Sequence, residues 1–92
     1  MSWTVEVTRR AQRQISGLPV RVQQRLVALL REIEVQGPVR GNWPNYSRLG
    51  PRRHHCHLQK GRPTYVAVWE VQAQQTRLVE ITYVGTHANA PY

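Results

Sequence analysis

The sequence predicts an α+β fold: an N-terminal strand, an antiparallel helix hairpin and then a three-stranded antiparallel meander. Two observations predict it. Apolar residues recur at helical spacing in the first part of the chain and at strand spacing in the second half. A chain of 92 residues can bury one modest core, so we expect a single domain over residues 1–92. The helices must bury their apolar seam against one face of the sheet, which leaves the other face open.

The first elements are marked by their end signals as well as by their periodicity. Trp3–Val7 alternates apolar and polar residues, which is typical of a short strand. Thr8 is a candidate N-cap for a short basic helix over Arg9–Ser16. A second helix begins at Pro19 and ends at Gly37. Its apolar face consists of Val22, Leu26, Leu29, Leu30 and Ile33.

The rest of the chain is predicted to form a loop, three strands and a tail. The loop covers Val39–Pro51, and we expect Trp43, Tyr46 and Leu49 to pin it to the body of the protein. The last two strands are largely apolar or aromatic on both faces, which places them centrally in the sheet. The tail covers Gly85–Tyr92. The three strands are Arg52–Gln59, Arg62–Val71 and Arg77–Val84.

The charge is strongly positive. Lysine and arginine number 13 against 5 acidic residues, for a net charge of +8, and all but one of the 13 are arginine. Because the basic residues are spread along the whole chain, they must coat a folded surface. Such a surface points to nucleic acid, the ribosome or an acidic partner. An arginine-rich composition without a binding role is the alternative.

Three features predict a cytoplasmic location. No apolar run reaches the 18 residues of a membrane span. The N-terminal residues lack the charged-then-apolar pattern of a signal peptide. The single cysteine, Cys56, cannot form an internal disulfide.

A run of histidines over His54–His57 is the sharpest local motif. Side chains alternate along a strand, so Arg53, His55 and His57 share one face. The opposite face carries a cysteine and Leu58, and these apolar residues mark it as the buried face. Metal-independent RNA cleavage needs a base, an acid and cations for the charge that develops on the phosphate. Imidazoles beside arginine fit that chemistry near neutral pH.

Other interpretations of these residues stay open. The histidines could be surface residues without a function. His55 and His57 could chelate zinc with His87 as a third ligand, but the surrounding positive charge disfavours a cation. Tyr92 could stack on a base or hold a proton, or it could belong to a frayed tail.

Several features together resemble the RelE/ParE-type toxins of bacterial toxin–antitoxin pairs. They are the element order, the leucine-rich second helix, the Tyr65–Val71 strand and the Val84–His87 strand end. The resemblance covers essentially the whole chain. It implies a RelE-like toxin domain with a compact microbial-RNase-like fold, a ribosome-associated mRNA endonuclease activity without a cofactor, and inhibition by a cognate antitoxin that wraps the toxin.

The resemblance also implies roles for individual residues. In RelE-like members, basic or histidine side chains on the first meander strand do catalysis, and these positions match His55 and His57. A basic residue after the Val-Gly pair matches His87, and a base-stacking tyrosine matches Tyr92. The resemblance thus implies a catalytic set of these four residues. The chain departs from the family at Val66, where an arginine commonly follows the tyrosine that opens the middle strand. Candidates for the missing phosphate-binding cation are Arg53, Lys60 and Arg62.

These expectations define three hypotheses of function. The first is a metal-independent mRNA interferase, whose partners are mRNA in the ribosomal A site, ribosomal RNA and a cognate antitoxin, with no role for a membrane. The second is a ParE-like inhibitor of DNA gyrase without catalysis. The third is a non-catalytic RNA- or ribosome-binding module.

Overall fold

A five-stranded sheet carries two helices on one of its faces in the computed structural model, which describes residues 2–92. This architecture confirms the predicted α+β class. The helices are α1 and α2, and the strands are β1 to β5. In chain order the elements are β1 (Thr4–Val7), α1 (Arg9–Ser16), α2 (Val20–Gln36), β2 (Ser47–Arg48), β3 (Arg53–Gln59), β4 (Tyr65–Ala73), β5 (Leu78–Thr86) and a 3₁₀ turn (His87–Asn89).

The strands lie in the order β1-β5-β4-β3-β2. β3, β4 and β5 form the predicted antiparallel meander, while β1 adds to its edge in parallel with β5. β4 and β5 are therefore interior strands, as their two apolar faces predict.

Local signals set the helix ends. The Thr8 hydroxyl accepts a hydrogen bond from the Ala11 backbone N–H at 3.0 Å, which caps α1 as predicted. Pro19 immediately precedes α2 rather than lying inside it. Gly37 ends α2 with a φ of 99°, a conformation that favours glycine.

β1, β3 and β5 each begin one residue later than the sequence predicts, and three larger differences concern β2, β4 and the end of β5. The predicted loop contains β2, whose two residues pair with His54 and His55, so the sheet has one strand more than expected. A strand of two residues has no periodicity to detect and forms only because β3 offers it an edge. β4 begins at Tyr65 rather than Arg62 and runs on to Ala73. β5 continues to Thr86, so Gly85 belongs to a strand and not to the tail.

The core lies between the helices and one face of the sheet. Trp69 is fully buried there and donates its indole N–H to the Pro38 carbonyl at 3.0 Å. Burying such a side chain stabilises the fold by about 2–3 kcal/mol. The other face carries a smaller apolar cluster, on which the loop and the tail pack. Its members are Val66, Val68 and Tyr83, with Leu49 and Ala90 packed against them.

Glu32 of α2 anchors the loop before β2. Its Oε1 accepts hydrogen bonds from Arg40, Asn42 and Trp43 at 3.0, 2.9 and 3.0 Å. The bond from Asn42 contributes most to lowering the pKa of the Glu32 carboxyl, partly against the effect of burial. Trp43 and Tyr46 also pack against the core, as predicted for the loop anchors. No helix among residues 2–92 is both long enough and apolar enough to cross a membrane.

Candidate active site

β3 separates its histidines between the two faces of the sheet. His55 and His57 lie opposite Val68 and Val66 of β4 in the strand register. These valines belong to the small apolar cluster, so both histidines lie on the face away from the helices, as the alternation predicts. His54 lies on the helix face.

The chain after β5 folds back over this face instead of fraying. The His87 backbone N–H donates to the Thr64 carbonyl at 2.8 Å, and the 3₁₀ turn that starts at His87 follows directly. The Ala90 N–H closes the turn by donating to the His87 carbonyl at 3.2 Å. The turn carries Tyr92 to His55, where the two rings meet with centroids 5.0 Å apart.

Gly85 supports the strand end from which this turn begins. The Tyr83 hydroxyl donates to the Thr86 carbonyl at 2.8 Å and passes directly over Gly85. A Cβ atom on Gly85 would lie 2.6 Å from that hydroxyl oxygen, a distance that real Cβ atoms do not reach. Glycine therefore allows the bond that fixes the chain just before His87.

Four rings meet edge to face and form what we call the four-ring cluster. The ring centroids of His55 and His57 are 5.9 Å apart, those of His57 and His87 are 5.4 Å apart, and those of His87 and Tyr92 are also 5.4 Å apart. The contact between Tyr92 and His55 closes the circuit. The structure thus brings together the four residues that sequence analysis put forward as catalytic, from two segments about 30 residues apart.

The environment favours the neutral form of two of the imidazoles. Burial lowers the pKa of His55, and electrostatic repulsion from His87 lowers it further, while a hydrogen bond with Ser47 acts in the opposite direction. Burial is also the largest cause of the lowered pKa of His57, followed by electrostatic repulsion from His55, His87 and Lys60. A neutral imidazole can accept a proton, so both are suited to act as a base.

The remaining contacts orient the cluster. The Ser47 hydroxyl lies 3.0 Å from His55 Nδ1 and fixes the plane of that ring. His55 is only 9% exposed, because the loop and the tail cover it, whereas His57 is partly exposed. Burial raises the pKa of the Tyr92 phenol, which therefore stays protonated near neutral pH.

The three predicted phosphate-binding residues have different surroundings. Lys60 is exposed and close enough to His57 to lower its pKa. Arg53 faces Glu70 across the sheet, with Nε 3.8 Å from Oε2, so a carboxylate partly offsets its charge. Arg62 is exposed in the segment between β3 and β4. Val66 is fully buried beneath the cluster and supplies no charge.

Sequence reasoning missed Ser47 and a pair of arginines. Ser47 lies in the two-residue strand that has no sequence signature. Arg21 and Arg25 of α2 line a cleft of about 580 Å³ that borders His57. Their spacing of four residues places them on one helix face, and that signal could have found them. Within residues 2–92, no group of three or more histidine, cysteine or acidic residues is arranged to hold a metal ion.

Comparison with known proteins gives matches among solved structures. No protein-family model and no curated protein sequence matches the chain. A mutant of the E. coli toxin RelE in the free state superposes with a TM-score of 0.75 and 21% identity, covering 97% of this chain and 88% of that one. An archaeal RelE–RelB complex from Pyrococcus horikoshii superposes with a TM-score of 0.71 and 13% identity, covering 98% of this chain and 100% of that one. The intact E. coli RelBE toxin–antitoxin complex superposes with a TM-score of 0.68 and 19% identity, covering 92% of this chain and 96% of that one.

Proposed function

Because this chain has the fold of RelE-type toxins, we propose that it is the toxin of a type II toxin–antitoxin system and acts as an mRNA interferase. Its proposed substrate is mRNA in the ribosomal A site, in the cytoplasm. The observation that carries the proposal is the four-ring cluster, in which three imidazoles and a phenol converge on one face of a chain with a net charge of +8. These groups suit proton transfer at a phosphodiester.

In the proposed reaction, His57 takes the proton of the 2′-hydroxyl. The 2′-oxygen attacks the adjacent phosphorus, a 2′,3′-cyclic phosphate forms, and the 5′-oxygen leaves with a proton from His87. His57 suits the base role better than His55, because it is more exposed and borders two clefts. His55, held by Ser47, positions His57 through their ring contact.

Charge and stacking complete the proposed site. Lys60 stabilises the negative charge that grows on the phosphate, in place of the arginine that Val66 replaces. Tyr92 is 52% exposed, so its ring has a face on which a base can stack. Arg53 and Arg62 extend the basic surface for the RNA backbone and ribosomal RNA.

The proposed antitoxin would cover the solvent side of α2. Val20, Val27 and Val35 are 69%, 56% and 68% exposed and fall on one face of that helix. Arg31 lies on the same helix and is also exposed. An amphipathic segment with acidic residues complements a valine row beside arginine.

Induced expression followed by primer extension tests the proposal. We expect growth arrest and discrete cleavages within translated codons. His87→Ala should abolish both, while Arg9→Gln, which changes charge outside the cluster, should abolish neither. Full toxicity of His87→Ala would contradict the assignment. An SOS response with intact mRNA would instead favour gyrase inhibition.

A non-catalytic binding module would behave differently in the same experiment. It would bind RNA in a salt-sensitive way without arresting growth, and its binding would survive replacement of His55, His57 and His87 by alanine.

A further inference from the structure

The cleft beside His57 contains three polar side chains that the proposed reaction does not use, those of Arg21, Arg25 and Gln59. It has a volume of about 580 Å³ and lies between α2 and the end of β3. Three cations line it: Arg21, Arg25 and Lys60. No carboxylate occurs among the lining residues that the structure describes, so the cleft attracts an anion.

A hydrogen bond fixes one of these cations. Arg25 Nη1 donates to the Leu58 carbonyl at 3.2 Å, which holds the guanidinium of α2 against β3. A guanidinium carries five N–H donors, so this bond orients Arg25 while its fork can still meet phosphate oxygens. Arg21 lies one helical turn earlier on the same face.

Two polar atoms of lining residues are buried without a partner. His57 Nδ1 and Gln59 Oε1 make no hydrogen bond within residues 2–92. An amide oxygen accepts hydrogen bonds only, so Gln59 calls for a donor in addition to the anion that the cations attract. A ribonucleotide offers both, because its phosphate accepts hydrogen bonds and its ribose hydroxyl donates one. A phosphodiester group without a neighbouring hydroxyl would satisfy the cations and leave Gln59 unpaired.

We propose that this cleft binds the nucleotide next to the scissile phosphate of single-stranded RNA. Arg21 and Arg25 hold the phosphate of that nucleotide, and Gln59 accepts from its ribose hydroxyl. The volume falls within the range of about 300–1,000 Å³ that is usual for ligand pockets. The position of this nucleotide next to a cleavage site rests on the proposed interferase activity, whereas the nucleotide chemistry of the cleft does not.

Binding of a fluorescein-labelled RNA hexauridine to the whole protein, measured by anisotropy without ribosomes, tests the inference. Arg21→Gln/Arg25→Gln should weaken binding about tenfold or more in 50 mM salt. The slope of log Kd against log salt should fall by about 0.7, the value for one phosphate contact on a single strand. The matched control, Arg9→Gln/Arg31→Gln, removes equal charge outside the cleft and should weaken binding less than threefold.

Gln59→Met tests the hydroxyl contact with little change in side-chain size. The parent should bind hexauridine more tightly than hexadeoxyuridine, and the variant should lose that preference. Uridine monophosphate as a competitor separates an RNA chain from a free nucleotide, and competition as tight as that of hexauridine would overturn the RNA assignment. Unchanged thermal melting shows that each variant is folded.

An equal loss of hexauridine affinity in the cleft double variant and the control double variant would overturn the inference. So would the absence of hexauridine binding by the parent at 50 mM salt. Primer extension reports separately on the proposed function. If the parent cleaves mRNA within codons but the cleft and control double variants bind hexauridine equally well, only the cleft proposal is contradicted. If the cleft residues are needed for hexauridine binding but the parent cleaves no mRNA, the interferase proposal is contradicted and the nucleotide site is retained.

Discussion

The two faces of β3 give adjacent histidines opposite environments. On the helix face, His54 is 2% exposed and stacks on Trp69, with ring centroids 5.9 Å apart and planes at 7°. Tyr46 stacks on it too, and the Tyr46 hydroxyl is hydrogen-bonded to Nδ1 at 2.7 Å. Burial, followed by the charge of Arg48, lowers the pKa of His54 to about 4.

On the other face, His57 borders two clefts and contacts two further imidazoles. The face of the strand on which a histidine lies, rather than its residue type, therefore separates a packing histidine from a candidate catalytic one. Substitutions on the two faces should therefore change different properties of the protein.

The largest expected effect is on catalysis. His57→Gln should lower the rate of mRNA cleavage on ribosomes by about 10²–10⁴-fold, because it removes the proposed base. The melting temperature should change little, since the side chain is partly exposed. Single-turnover cleavage measures the expected loss of rate, and thermal melting of the same preparation checks that the fold is unchanged. Near-parental cleavage by a folded variant would exclude His57 as the base.

A reciprocal effect on stability is expected from the other face. His54→Ala should lower the free energy of unfolding by about 3 kcal/mol, because it leaves a cavity between Tyr46 and Trp69 and removes the partner of the Tyr46 hydroxyl. Cleavage per folded molecule should persist. Urea unfolding measures the loss, and a loss below about 1 kcal/mol would contradict the packing role.

Acid should destabilise the fold through the same residue. The pKa of His54 is near 4 in the folded chain and near 6.5 when unfolded, so the unfolded state binds the proton first. The stabilisation is complete above pH 6.5 and falls as the pH drops towards 4, by about 2–3 kcal/mol. His54→Gln should flatten this part of the profile of unfolding free energy against pH. An unchanged slope would assign the acid sensitivity elsewhere.

The smallest effect concerns the pH dependence of cleavage. A base must be neutral to accept a proton, and the pKa of His57 is lowered. The cleavage rate should therefore persist below pH 6.5 before it falls on the acidic limb of the profile of rate against pH. Lys60→Gln removes one of the charges that lower this pKa and should move the limb to higher pH. Arg31→Gln is the control, and an equal shift in both variants would point to net charge rather than to Lys60.

Sequence periodicity was sufficient for the helices, the meander and the faces of β3, because each depends on residues close together in the chain. Alternation alone assigned His55 and His57 to one face and His54 to the other. His87 and Tyr92 needed the family resemblance, since a short tail carries no periodic signal.

Features that depend on distant segments were not accessible in this way. The bond from Ser47 to His55 requires a strand of two residues, and the cleft requires α2 to lie beside β3. The low exposure of His55 arises because the tail folds over it, which strand alternation alone could not predict. These are consequences of tertiary packing, which decides short elements more strongly than local propensity does.

The parallel pairing of β1 with β5 also governs when the protein becomes complete during synthesis. Thr4 pairs with Leu78, so β1 is made well before β5, the strand beside which it lies in the sheet. Contacts between such distant segments form late and slow folding. The four-ring cluster has the same dependence, because His87 and Tyr92 follow β5. A ribosome translating this message therefore carries a chain without an assembled cluster until β5 and the turn after it have been made.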